Sequence, residues 1–85
     1  MKSGIYYHLP NDHLSTEQKI IHLVPFYIQK LGQVPEFVCV NPEQIGDLRE
    51  VKFPVVGVPE EVRVWVWPDR QMMRNHFLIG VNEDV

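Results

Sequence analysis

The run Val62-Arg63-Val64-Trp65-Val66-Trp67, closed by Pro68, alternates strictly between valine and a larger residue. Successive strand residues point to opposite faces, so Val62, Val64 and Val66 share one side and Arg63, Trp65 and Trp67 the other. Three β-branched residues on one side form the surface of a strand packed on a core. The opposite side is too apolar for open water. The reading places this strand at the centre of a sheet. A second apolar run, His76-Phe77-Leu78-Ile79-Gly80-Val81, follows after a loop.

Working outward, Pro68-Asp69-Arg70-Gln71-Met72-Met73-Arg74-Asn75 joins these two strands. It is long for a hairpin loop, and its two methionines sit among charged residues, a composition suited to contacts. Upstream, Phe53-Pro54-Val55-Val56-Gly57-Val58 reads as a strand that Pro54 and Gly57 confine to an edge or a bulge. Asp47 to Lys52 reads as a polar surface loop or short helix. Glu36-Phe37-Val38-Cys39-Val40 is a short apolar strand, and Asn41-Pro42 suits the cap and first position of a helical turn.

The clearest helix opens at Ser15, with Gln18 three residues on completing a capping-box pattern. Apolar residues recur at Ile20, Leu23, Val24, Tyr27 and Leu31, at helical spacing, with Gly32 as the stop. Lys19, His22, Gln29 and Lys30 fall at its polar edge. Pro25 predicts a kink or break, since it removes a donor and presses on the Ile21 carbonyl. Ile5 to Leu9 is a first strand, ended by the turn cluster Pro10-Asn11-Asp12. Strand, helix and strand then make a right-handed crossover with the two strands parallel. The expected fold is an α+β two-layer sandwich in β-α-β-(short helix)-β-β-β order. Its mixed sheet has four or five strands, and one main Pro-kinked helix covers one face. An acidic tail, Asn82-Glu83-Asp84-Val85, closes a single domain spanning residues 1–85.

Composition narrows the function classes. Net charge is −3 and the cations are scattered singly, which argues against a nucleic-acid or membrane-surface partner. One cysteine forms no internal disulfide, and no apolar run approaches the roughly 20 residues of a membrane span. A cytoplasmic protein is expected. Catalytic signatures are missing. Cys39 sits between two valines as a small core residue, the five glycines form no phosphate loop, and of two serines Ser15 serves as a cap. No cofactor is expected.

Two function classes remain. The favoured one is a non-catalytic interaction module. It self-associates as a homodimer, or docks a protein partner, through Arg63, Trp65, Trp67, Met72 and Met73, residue types enriched at interfaces. On the same face, ordinary core packing and a tryptophan-stacking ligand pocket are the competing readings. The alternative class is a metal-binding protein or metal-dependent enzyme using His8, Asp12 and His13 with His22, although their spacing matches no familiar zinc pattern.

Overall fold

The computed structural model describes residues 2–82; the acidic-tail residues 83–85 lie outside them. Strand β1 (Lys2–His8) leads to helix α1 (Thr16–Leu31), β2 (Phe37–Val40), the single turn α2 (Pro42–Ile45), β3 (Glu50–Phe53), β4 (Val62–Pro68) and β5 (His76–Asn82). The five strands form one mixed sheet in the order β1-β5-β2-β4-β3. Among the described residues β2 and β4 pair in parallel, while β1–β5, β2–β5 and β3–β4 are antiparallel. The α+β two-layer sandwich is therefore as expected. No helix among the described residues is long and apolar enough to cross a membrane.

Local signals fix the helix ends. The Ser15 side chain accepts from the Gln18 amide at 3.1 Å, and the Gln18 side chain accepts from the Ser15 amide at 2.8 Å, closing the capping box. At the other end Gly32 adopts φ +70 and its N–H bonds the Ile28 carbonyl, the left-handed stop a glycine makes cheaply. Asn41 caps α2 by accepting from the Glu43 amide at 2.8 Å. The helix runs through Pro25 without a break. Burial of Ile20 and Leu23 before the proline, and of Val24 and Tyr27 beside and after it, holds both halves on the sheet.

These residues pack on Val38 and Val40 of β2, Val51 and Phe53 of β3, Val62, Val64 and Val66 of β4, and Phe77 and Ile79 of β5. The valine side of β4 is thus the core side, as its alternation requires.

Four expectations change. The central strand is β2, not β4, because all four residues of Phe-Val-Cys-Val are buried and β2 is apolar on both faces. The third strand lies at 50–53 instead of 53–58. Glu50 to Phe53 pair with Trp65 to Val62, while Pro54 brings no donor to continue the ladder and Gly57 turns at φ +89. β1 and β2 are parallel but not adjacent, since β5 is inserted between them. The last connection is consequently no hairpin: it crosses the end of β2, where the Asp69 amide bonds the Val40 carbonyl at 2.9 Å.

Lys19 also departs from the polar edge assigned to it. It is only 5% exposed, with its ammonium 2.8 Å from Asn75 Oδ1. The same oxygen accepts from Gln44 Nε2 at 2.9 Å, and Gln44 Oε1 accepts from the Asn75 amide at 2.6 Å. α1, α2 and the β4–β5 connection meet at this one side chain.

Candidate functional site: the open face of the sheet

Strand alternation and register together map the face that α1 does not cover. Two rows cross the sheet. One runs Gly4, Gly80, Phe37, Trp65, Glu50; the other runs Tyr6, Leu78, Cys39, Trp67. His8 and His76 pair at the next level, with rings stacked 4.3 Å apart and 13° from parallel. The molecule measures 33 × 32 × 22 Å, and its short dimension holds one sheet and one helix layer. Among the described residues no third layer of secondary structure covers this side.

Its middle is covered from within. Phe37, Cys39, Leu78 and Met72 form a second small core, with Trp67 packed against it. The Trp67 ring stacks on Phe37 at 4.6 Å and 4°. Met72 reaches this cluster because the 69–75 connection folds back over the sheet. Asp69 Oδ1 accepts from the Gln71 amide at 2.9 Å, and Asn41 Nδ2 donates to the Met72 carbonyl at 2.8 Å. Of the five interface candidates, Met72 is therefore buried and Trp67 half-buried, while Arg63, Trp65 and Met73 are exposed. Cys39 is fully buried, in the apolar setting expected of a structural cysteine.

Trp65 remains 43% exposed, and Tyr6, across the sheet, 69%. Trp65 carries the Arg63 guanidinium over its ring, 4.4 Å from the centroid. Glu50 holds that guanidinium in place. Its Oε2 accepts from Arg63 Nε at 2.6 Å, and Lys52 Nζ stands 3.5 Å from Oε1. The hydrogen bond from Arg63 holds the Glu50 carboxyl below the usual carboxylate range. A carboxyl depressed in the folded state contributes stability fully above its ordinary pKa and loses that contribution as pH falls through the lowered value. In a Trp67→Phe background, Trp65 emission should therefore step as pH falls below the ordinary carboxylate range and Arg63 is released. Glu50→Gln should abolish the step; its persistence in that variant would break the link between Glu50 and the Trp65 stack.

The histidine candidates do not converge. His8 lies on the open side and stacks on His76, His22 projects from α1 on the other side against Phe26, and Asp12 and His13 are exposed in the turn between. Among the described residues no three His, Cys, Asp or Glu side chains gather as a metal ion requires. No histidine pattern in the sequence pointed to the His8–His76 pair, whose members are 68 positions apart and meet only through the β1–β5 register. No family model, no curated protein and no solved structure matches this chain.

Proposed function

We propose that the protein is a small non-catalytic interaction module that self-associates through the open face of its sheet. The observation that carries the reading is Trp65, a tryptophan left 43% exposed beside the part of this face that Met72 covers, with the Arg63 guanidinium over its ring and Glu50 bonded to that guanidinium. Tryptophan brings a large contact area on only two side-chain torsions, so it loses little entropy on docking, and tryptophan and arginine are enriched among the residues that dominate interface energetics.

Area favours a second copy as the occupant. Strands spaced ~4.8 Å apart with ~3.3 Å rise per residue give this face roughly 500 Å² in projection. Two such faces together reach about 1,000 Å², the lower bound of a specific interface. A two-fold pair uses the same patch twice, so the apolar surface of each copy supplies what the other lacks.

Light scattering after size exclusion, over a dilution series, tests this. Trp65→Lys should lower the mass relative to wild type while leaving the monomer folded, because the ring is exposed and the one intrachain contact named for it is the exposed Arg63 stack. An unchanged mass in Trp65→Lys would remove the open face from the assembly.

A further inference from the structure

The two edges of the sheet are built differently. β3 is four residues long, displays Glu50 and Lys52, and runs into Pro54, all devices that discourage another strand from adding. β1 carries fewer of them: its one lysine, Lys2, stands at its first position. It is seven residues long with no proline and no acidic residue, Tyr6 is 69% exposed, and Ile5 and Tyr7 are only half-buried. Along the same edge runs an apolar groove of about 530 Å³ between β1 and α1, lined by Ile5, Tyr7, Leu23 and Phe26, with Phe26 itself 52% exposed. A seven-residue strand edge free of proline and acidic residues and bordered by an apolar groove is a template for another strand.

We propose that a second copy of this chain pairs with β1, antiparallel and two-fold related, joining two five-stranded sheets into one of ten strands. The surface is distinct from the open face, and the proposal does not depend on that face self-associating.

The hydrogen-bond phase of β1 specifies the register. The Leu9 amide donates to the Asn75 carbonyl at 2.9 Å, continuing the β1–β5 ladder. Hydrogen-bonded pairs alternate along an antiparallel ladder, so residues 3, 5 and 7 turn their backbone groups toward β5. Residues 2, 4, 6 and 8 turn theirs outward. Pairing all seven residues of β1 with those of a second β1 puts the two-fold axis at Ile5, matches outward groups with outward groups, and sets Tyr6 opposite Gly4. Gly4 and Gly80 are neighbours in one row, so no side chain rises there on the open face. The Tyr6 ring of the second copy lies over that furrow, the arrangement by which an aromatic side chain shields a cross-strand glycine. On the helix side the two Ile5 side chains meet, and the two α1–β1 grooves become continuous. Backbone pairing, aromatic cover and apolar contact are thus satisfied in the same register.

The test measures the solution mass of wild type, Tyr6→Pro and Trp65→Lys by light scattering, with circular dichroism to confirm folding. Tyr6→Pro removes an outward amide that the monomer does not use, a position where an edge strand tolerates proline. It should halve the wild-type mass while the spectrum is kept. Trp65→Lys reads the open face separately, so loss of either contact is visible without the other. Ile5→Cys, oxidised and run without reductant, supplies a second measurement should Tyr6→Pro unfold. At the axis the two Cα atoms would stand ~4.5 Å apart, within disulfide range. A cross-linked species of twice 10.0 kDa is expected, far exceeding that from Tyr6→Cys. A folded Tyr6→Pro with wild-type mass overturns the proposal, as does cross-linking through residue 5 no better than through residue 6.

Discussion

Gly80→Ala should cost about 3 kcal/mol or more and detach β1 from the sheet, although it adds a single methyl group. A Cβ built on Gly80 runs into the Ser3 carbonyl oxygen and comes within 2.7 Å of Gly4 Cα. Those atoms are backbone of the paired strand and cannot rotate aside as a side chain could. Gly4 is nearly as tight, since a Cβ there would meet the Ile79 carbonyl at 2.5 Å. Facing glycines let β1 and β5 approach closely where the pair is not hydrogen-bonded. An 85-residue domain has roughly 4–13 kcal/mol of total stability, so the loss is a large share of it. Denaturant titration checks the cost, and hydrogen exchange of the β1 amides checks where it falls. Gly57→Ala is the contrast. It has open space around the new methyl group and φ +89, so it should cost only about 1–2 kcal/mol of backbone strain. A wild-type midpoint for Gly80→Ala would mean that the two strands do not approach this closely.

The contrast between what is local and what is not also separates the legible parts of this fold from the rest. Ser15, Gln18 and Gly32 act within one turn of their own positions, so both ends of α1 could be read before any tertiary contact was known. The valines of β4 could be assigned to the core because alternation needs no partner strand. β3 left a local trace, since Glu50-Val51-Lys52-Phe53 alternates polar and apolar as its burial does, but four residues are a short signal beside the more apolar stretch that follows, and pairing with β4 decides the matter. Insertion of β5 between β1 and β2 leaves no local trace. The available clue was composition, since Phe37 to Val40 is apolar on both faces, as an interior strand should be. Gly4 and Gly80 offered another, isolated glycines inside strand patterns being a mark of close backbone approach. For the open face, alternation correctly grouped Arg63, Trp65 and Trp67. It could not separate exposed Trp65 from half-buried Trp67, because that depends on Met72 folding back from a connection whose path follows from strand order.

Asn75→Ala should cost on the order of 3–5 kcal/mol, the range for a buried charge stripped of its partner. Asn75 Oδ1 is the acceptor for the buried Lys19 ammonium and for Gln44 Nε2. Alanine removes that oxygen and must also adopt φ +64, where asparagine is among the few residues that sit comfortably. Three elements lose their common tie at once: α1 through Lys19, α2 through Gln44, and the connection that places Met72 on the open face. Two further variants separate charge from backbone. Asn75→Asp keeps the turn and the oxygens that accept from Lys19 and Gln44, so its thermal midpoint should remain close to wild type. Lys19→Met placed on Asn75→Ala removes the stranded ammonium and should recover most of the loss, leaving mainly the backbone cost. That double-mutant cycle reads the pair directly. If Lys19→Met gives no recovery, the cost lies in the turn, and the buried lysine is not what Asn75 is there to hold.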